Sequence, residues 1–311
     1  MAGDINTTLI LPAPAKLNLF LHITGQRADG YHLLQTVFQL LDYGDQITLA
    51  LRDDGQIKRV KGLESIAESS DLMVRAAKLL QAHHSSCPEY DQTRQLGVDI
   101  SINKVLPMGG GIGGGSSDAA TVLLGLNQLW DCRLSIDELA ELGLQLGADV
   151  PVFVHGHSAW AEGIGEQLKP IDLPEKWFVV IHPGVSVSTA EIFLDKGLTR
   201  DCEAIKIARF LQADGFDKTT NVFETVVRRQ YPQVATALDW LNKASGSVAG
   251  SSTARLTGSG SCLFASFEHQ GDAQCVLDSL SVRGAGHNWQ GFIAKGVKQS
   301  PVLDVLQENS C

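Results

Sequence analysis

Charged residues make up only 19% of this 311-residue sequence, and aromatic residues only 6%. The 25 Lys and Arg residues form no basic cluster, and the formal net charge is −10. Proteins that bind duplex nucleic acid neutralise phosphates with clustered basic side chains, so we predict no nucleic-acid partner. An acidic chain that binds an anionic ligand needs a locally basic or amide-lined pocket.

Long apolar runs and paired cysteines are also missing. No run approaches the roughly 20 apolar residues of a membrane span, and the N-terminal segment does not resemble a signal peptide. The six cysteines are far apart and include no Cys-x-x-Cys pair, which argues against a zinc ribbon or a disulfide framework. We therefore predict a cytoplasmic protein with reduced thiols and no membrane partner. The sequence leaves the oligomeric state open.

The hydrophobic content of 44% is enough to build an ordinary globular core. A chain of this length suggests two domains, since one domain typically has roughly 150 residues. Strand-like and helix-like segments are mixed without strict βαβ alternation, which favours an α+β fold over a doubly wound sheet. We predict an N-terminal lobe over residues 1–165 and a C-terminal lobe over residues 166–311.

Hydrophobic periodicity places the main elements. Strands are predicted at 17–24, 33–41, 45–51, 98–104, 152–155, 177–182 and 263–267. Helices are predicted from about residue 71 to 83, after Ser116–Asp118, from 136 to about 146, and at 204–211, 222–229 and 234–241. Ser135 and Glu138 form a capping-box pattern at the start of one of them.

The strongest feature is a glycine loop, PMGGGIGGGSSDAA, with six glycines in the seven positions from Gly109 to Gly115. Such a loop lets the backbone approach a ligand closely. The helix predicted to follow it offers unpaired N–H donors and a partial positive charge, which attract phosphate. The hydroxyls of Ser116 and Ser117 add ligands for phosphate or Mg²⁺. The loop is therefore predicted to bind a nucleotide.

Other interpretations of this loop fit less well. A flexible linker does not explain the strand before it and the helix after it. Gly109, Gly111 and Gly114 satisfy G-x-G-x-x-G, but the preceding strand alternates, Leu106–Met108 intervenes, and no acidic residue ends a second strand about 20 residues on. A Walker loop needs a Lys after the last glycine, and none is there.

Lys16 precedes an alternating strand, and Lys16, Asn18, Phe20 and His22 share one of its faces. We predict that this face lines a cleft. Asp149 follows a helix and precedes an apolar run, so it is expected to be partly buried and to need a cationic partner.

Two weaker patterns carry no prediction. His155 and His157 have no third metal ligand nearby. The Gly258–Ser261 segment lacks the glycine that a hydrolase elbow needs two residues before Ser259.

Lys16 with its flanking residues, the glycine loop and LTGSGSCLFASF (256–267) occur in this order along the chain. The sequence thereby resembles the GHMP kinase superfamily. It is especially similar to the branch that acts on 4-diphosphocytidyl-2-C-methyl-D-erythritol in the non-mevalonate pathway of isoprenoid biosynthesis. The segments that carry this similarity are PAPAKLNLFLHITGQRADGYHLL (12–34), LPMGGGIGGGSSDAA (106–120), GADVPVFVHGHSAWAEGIGE (147–166) and STAEIF (188–193).

The resemblance implies a two-lobed α+β kinase with its active site between the lobes. Lys16 and Asp149 are then the catalytic pair, and Ser116 is a candidate Mg²⁺ ligand. The residues expected to bind ATP are Lys104, Pro107, Met108, Gly109, Gly110, Gly111, Ile112, Gly113, Gly114, Gly115, Ser116 and Ser117. The residues expected to hold the substrate are Asn18, Tyr31, His32, Thr189 and Phe193, with the rings of Tyr31 and Phe193 enclosing cytosine.

In the implied mechanism, Asp149 accepts the proton of the attacking 2-hydroxyl, and Lys16 orients both groups. Three alternatives stay open from the sequence. The chain could be another GHMP kinase of the mevalonate or homoserine type, although Asp29–His32 favours the cytidyl branch. It could be a nucleotide-binding regulator without catalysis, although both Lys16 and Asp149 are present. A dinucleotide-dependent oxidoreductase is the third.

Overall fold

The computed structural model describes residues 7–62, 64–85, 96–212, 214–283 and 287–309. Cys87 and Cys311 lie outside these residues. The strands are β1 (Thr8–Gln26), β2 (His32–Arg52), β3 (Ile57–Lys61), β4 (Gly97–Asn103), β5 (Ala159–Glu162), β6 (Gln167–Pro170), β7 (Trp177–His182), β8 (Arg255–Leu256), β9 (Leu263–Phe267) and β10 (Gln290–Val297).

The helices alternate irregularly with the strands along the chain. They are α1 (Leu72–Ser85), α2 (Gly114–Leu129), α3 (Ile136–Leu144), α4 (Val150–His155), α5 (Thr189–Leu194), α6 (Ile207–Phe210), α7 (Phe223–Gln230), α8 (Pro232–Ser245), α9 (Gln270–Arg283) and α10 (Pro301–Glu308). Within the described ranges, no helix is both long and apolar enough to cross a membrane.

The long strand β2 organises the sheet. It pairs with β1 along most of its length and, in turn, with β5, β10 and β4 through residues 36–38, 40–41 and 46–52. β10 continues through β7 and β9 to β8, so both halves of the chain share one sheet. The pairings between strands are antiparallel except for that of β3 with β4. This arrangement confirms the α+β prediction.

The segments 33–41 and 45–51 form one strand, so the prediction of two strands is wrong. Gly44 lies between them, where β2 crosses very close to β1. A Cβ at Gly44 would lie 2.1 Å from the carbonyl oxygen of Ala13, so only glycine lets the strand pass. The glycine that resembles a strand break in the sequence is a site of close backbone contact.

The predicted strand at 152–155 is also wrong, because these residues belong to the helix α4. A short apolar run has no periodicity that distinguishes a buried strand from a buried helix. Pro151 in the first turn and Gly156, which ends the helix with a φ of 66°, are the local signals for a helix. The helix predicted at 204–211 is confined to Ile207–Phe210.

The glycine-loop helix packs tightly on the sheet. Gly125 of α2 faces Leu11 and Leu49, where an added Cβ would approach both side chains to less than 3 Å. The helix starts at Gly114, two residues before the predicted Ser116, because Gly113 takes a left-handed conformation with a φ of 75° and precedes the first turn. Ser135 and Glu138 form the predicted capping box of α3.

Candidate active site

A cavity of about 990 Å³ runs between the glycine loop, the middle of β1, the start of β2 and the α5 region. Eighteen of the nineteen predicted site residues border this cavity, and Ser117 is the exception. All of the predicted loop glycines, Lys16, Asp149, Asn18 and Lys104 border this cavity. The predicted catalytic, nucleotide and substrate groups therefore share one space.

Lys16 and Asp149 form an ion pair, with 3.1 Å between Lys16 Nζ and Asp149 Oδ2. The lysine side chain is 3% exposed, whereas the aspartate side chain is 35% exposed. Lys16 Nζ also donates to Asn18 Oδ1 at 2.5 Å and to the Gly111 carbonyl at 3.1 Å. Three fixed acceptors thus hold the buried ammonium group, and the carboxylate stays open to the cavity.

The cleft face predicted for β1 is correct for Lys16 and Asn18 but wrong for Phe20 and His22. The pairing register of β1 with β2 shifts between Asn18 and Leu21, and Leu21 borders the cavity instead. Phe20 packs in the core against Trp160, with 5.6 Å between the ring centroids. A bulge adds a residue to one strand and so reverses the alternation beyond it.

The glycine loop needs its glycines for both conformation and space. Gly109, Gly111 and Gly113 have φ values of 67°, 74° and 75°, in the left-handed region that favours glycine. The loop packs on the segment after β8: the Cys262 N–H donates to the Gly110 carbonyl at 2.9 Å. A Cβ at Gly111 would lie 2.5 Å from the Thr257 carbonyl oxygen.

Asn221 is a structural support of the site that the sequence interpretation missed. Its side-chain amide donates to the carbonyls of Leu256 and Gly258, each at 2.8 Å, and its Oδ1 accepts from the Phe223 N–H at 3.0 Å. Asn221 therefore fixes the Gly258 segment, which in turn supports the glycine loop. Asn221 lies just before α7, where the sequence pattern gives only a helix start.

Lys104 is not a free cation in this structure. Its Nζ lies 2.6 Å from Asp45 Oδ2 and 2.6 Å from Asp118 Oδ2. Burial raises the pKa of Asp118 to about 7, although Lys104 opposes this shift. Burial works against the protonated Lys104, but Asp118 and Asp45 outweigh it, so the lysine pKa is raised. Because two carboxylates already pair with the Lys104 ammonium group, the backbone amides of the loop are the more available groups for binding phosphate.

The two predicted serines differ in position. Ser116 borders the cavity, whereas Ser117 is fully buried and is not among the cavity-lining residues. Beyond the loop, the cavity extends to a largely apolar end. Its apolar lining residues are Ile66, Leu72, Met73, Ile102 and Pro107, and the polar Ser70 and Asp71 lie beside them. Of these, only Pro107 is among the predicted site residues. Hydrophobic side chains on separate elements carry no distinctive sequence signal.

At the opposite end, the predicted substrate residues Tyr31, His32, Thr189 and Phe193 border the same cavity. Tyr31 is 61% exposed, which is unusual for a large aromatic side chain without a role at the surface. The rings of His32 and Phe193 are stacked, with 4.9 Å between their centroids and 22° between their planes. Thr189 Oγ1 and Ser259 Oγ are 2.6 Å apart, which joins α5 to the Gly258 segment.

Within the described part of the chain, no group of three or more His, Cys, Asp or Glu residues could hold a metal ion. Ser116, the candidate Mg²⁺ ligand, lines the cavity.

Known proteins match this chain over nearly its whole length. The 4-diphosphocytidyl-2-C-methyl-D-erythritol kinase of Hahella chejuensis is 50% identical over 303 residues, which cover 97% of this chain and 98% of the relative. The enzyme of the same name from Nitrosococcus oceani is 49% identical, with coverage of 97% and 100%. The chain belongs to the 4-diphosphocytidyl-2-C-methyl-D-erythritol kinase family. This confirms the family that the sequence motifs predict.

A solved structure supports the same kinase family. The crystal structure of 4-(cytidine 5'-diphospho)-2C-methyl-D-erythritol kinase superposes with a TM-score of 0.75 and 30% identity, covering 93% of this chain and 100% of that chain. The GHMP kinases N terminal domain matches residues 71–157, and the GHMP kinases C terminal domain matches residues 200–285.

More distant kinases share only the fold with this 4-diphosphocytidyl-2-C-methyl-D-erythritol kinase family member. The homoserine kinase from Cytophaga hutchinsonii and the mevalonate kinase from Methanococcus jannaschii are each 15% identical, with TM-scores of 0.64 and 0.63. At this identity, the likeness shows the GHMP kinase fold and gives no information about the substrate.

Proposed function

We propose that the protein transfers the γ-phosphate of ATP to the 2-hydroxyl of 4-diphosphocytidyl-2-C-methyl-D-erythritol, as a step of the non-mevalonate pathway. The observation that carries this proposal is the position of the Lys16–Asp149 pair. The pair lies against the glycine loop, since Lys16 Nζ is 3.1 Å from both Asp149 Oδ2 and the Gly111 carbonyl oxygen. A phosphate on the loop and a hydroxyl beside Asp149 would then be neighbours.

In this mechanism Asp149 is the base. Its partly exposed carboxylate can accept the proton of the attacking hydroxyl, while the buried ammonium group of Lys16 holds the carboxylate in place. Phosphoryl transfer needs little covalent work from the protein, so most of the rate enhancement comes from positioning and charge stabilisation. The substrate is anchored at its cytosine end by Tyr31, His32 and Phe193.

ATP is proposed to lie with its phosphates on the amides of the glycine loop and the α2 N-terminus. Its adenine fits the apolar end of the cavity beside Leu72 and Ile102. Mg²⁺ is usually held by one or two protein groups together with the phosphates. The residues present fit this pattern, because Ser116 lines the cavity and Asp118 Oδ1 is a buried oxygen with no hydrogen-bond partner among the described residues. When bound, Mg²⁺ neutralises phosphate charge.

The lobe boundary and the cellular location are two further predictions from the sequence. The boundary between the lobes at residues 165 and 166 stays a prediction, because the single sheet is continuous through β10. The cytoplasmic location also stays a prediction.

The direct test is ATP consumption by the full chain with 4-diphosphocytidyl-2-C-methyl-D-erythritol, with the mass of the product measured. We expect a product that is heavier by one phosphoryl group and turnover that stops without the alcohol. Mevalonate and homoserine serve as competing acceptors. Turnover of either of these with none of the cytidyl substrate would contradict the proposed substrate, and binding of ATP with no turnover of any alcohol would support a regulator.

Replacing Tyr31 with Ala is expected to raise the KM for the cytidyl substrate about 10-fold, because stacking of a base on an aromatic ring contributes about 1–3 kcal/mol. The KM for ATP should stay unchanged, since Tyr31 lies at the other end of the cavity. Tyr31 is mostly exposed, so the melting temperature should also be unchanged. Steady-state kinetics with each substrate varied in turn measures both constants.

The matched control for this prediction is Tyr43→Ala. Tyr43 stacks on Phe292, with 4.2 Å between the centroids, and is not among the residues that line the cavity. It should leave both KM values unchanged. If Tyr31→Ala weakens only ATP binding, the cytosine assignment is wrong.

A further inference from the structure

Arg200 makes four hydrogen bonds beside the proposed cytosine site, and the mechanism above uses none of them. Its Nη2 donates to the carbonyls of Phe193 and Asp195 at 2.7 and 2.9 Å, and its Nη1 donates to the Leu198 carbonyl at 3.0 Å. Its Nε donates to His32 Nε2 at 3.2 Å. One guanidinium group therefore joins the loop after α5 to the first residue of β2.

The bond to His32 determines where the imidazole proton lies. A guanidinium group has only donors, so it needs an acceptor on the histidine ring. A neutral imidazole has one donor and one acceptor nitrogen. With Nε2 as the acceptor, the proton must be on Nδ1. Burial and the neighbouring Arg200 charge both lower the pKa of His32, which favours this neutral form.

Arg200 also controls the orientation of the rings. It holds the backbone of Phe193 through the carbonyl and the ring of His32 through Nε2. These are the two rings that stack at 4.9 Å. Because Arg200 is hydrogen-bonded to both residues, it fixes the position of the His32 ring relative to Phe193. Loss of Arg200 should therefore change both the protonated nitrogen of His32 and the distance between the stacked rings.

We infer that Arg200 is a positioning residue for recognition of the pyrimidine base: it holds His32 in the neutral tautomer protonated on Nδ1, so that the ring offers a hydrogen-bond donor. This inference rests on the proposed function. Cytosine has acceptors at O2 and N3, whereas uracil carries a hydrogen on N3. A fixed donor therefore suits cytosine, and a histidine released from Arg200 can present an acceptor instead and accommodate uracil.

The first measurement is the ¹⁵N NMR spectrum of the histidine side chains in the full chain without ligand. The chain has nine histidines, so the His32 signals are assigned by their absence in His32→Gln. We expect an unprotonated Nε2 and a protonated Nδ1 in the wild type. In Arg200→Met, which removes all the donors, both tautomers should be populated. Arg200→Lys keeps a donor and should retain part of the wild-type signature.

The second measurement is the kinetics of the same variants with the cytidyl substrate and with its uridine analogue. Arg200→Met should raise the KM for the cytidyl substrate about 10-fold, with kcat within about threefold of the wild type, because the lost contact involves a charged donor far from the reacting hydroxyl. The preference for the cytidyl over the uridine substrate, as a ratio of kcat/KM, should fall by a similar factor.

The matched control is Arg229→Gln. Arg229 anchors the same loop, with its Nη2 at 2.6 Å from Asp195 Oδ2, but it does not contact His32 in the structure. It should leave the NMR signature and the base preference unchanged. A protonated Nε2 in the wild type, an unaltered tautomer in Arg200→Met, or equal effects of the two arginine variants on base preference would overturn the inference. If the wild type does not phosphorylate the cytidyl alcohol, the proposed function fails, and the NMR result still decides the tautomer.

Discussion

Asp149→Asn is expected to lower kcat by about 10²-fold or more, as for the loss of a general base. The amide is nearly the same size as the carboxylate, and its oxygen can still accept a hydrogen bond from Lys16. It cannot take a proton from the attacking hydroxyl. Asp149 pairs with Lys16 at 3.1 Å, whereas the phosphates are proposed to bind on the loop amides, which this substitution leaves in place. The KM for ATP should therefore change by less than about threefold.

The matched control for this variant is Asp172→Asn. Asp172 is also paired with a lysine, at 3.0 Å from Lys298 Nζ, but its side chain is 87% exposed and is not among the cavity-lining residues. It should keep the wild-type kcat. Lys16→Met and the double variant should be about as slow as Asp149→Asn, since residues that act as a unit have non-additive effects. A kcat near that of the wild type in purified Asp149→Asn would falsify the role of this carboxylate as the base.

The sequence motifs located most of the candidate site, because the chemistry of binding phosphate needs residue types that stand out. Consecutive glycines followed by a helix are a distinctive pattern, and Gly109–Gly115 all border the cavity. Elements with strong periodicity, such as α8, were equally clear. The local capping pattern at Ser135 also gave the correct start of α3.

The parts that escaped prediction depend on contacts between distant segments. The bulge after Asn18 reverses the side-chain alternation of β1, and only the pairing with β2 reveals it. The family resemblance implies that Lys104 binds ATP, and the fold adds two carboxylates that the sequence does not place beside it: Asp45 from β2 and Asp118 from α2 lie within 2.6 Å of its Nζ. Arg200 and His32 are likewise brought together only by folding.

Gly111→Ala is the second variant with a large expected effect, and it tests the junction between the two glycine motifs. The new Cβ would lie 2.5 Å from the Thr257 carbonyl oxygen and 3.0 and 3.1 Å from the oxygen and nitrogen of Gly260. All three are backbone atoms, so no side chain can turn away. The φ of 74° at Gly111 also disfavours alanine, at a cost of about 1–3 kcal/mol for such a strained residue.

The loop must therefore move, and the Gly111 carbonyl that accepts from Lys16 Nζ moves with it. We expect kcat/KM for ATP to fall about 10²-fold, since a displacement of about 1 Å in a positioned reacting group can have that effect. The melting temperature should fall as well. Steady-state kinetics and thermal unfolding measure the two effects, with Gly271→Ala as the control, because nothing lies within 4 Å of a Cβ at Gly271.

Two outcomes of this experiment separate the catalytic role of the loop from its structural role. If Gly111→Ala keeps the wild-type kcat/KM but unfolds at a lower temperature, the junction stabilises the fold and does not position the phosphates. If both quantities stay unchanged, the loop can shift without consequence, and the contact between Gly111 and Lys16 is not part of the machinery. The proposed mechanism requires that kinetics and stability fall together, because the same backbone contact holds the loop and the buried lysine.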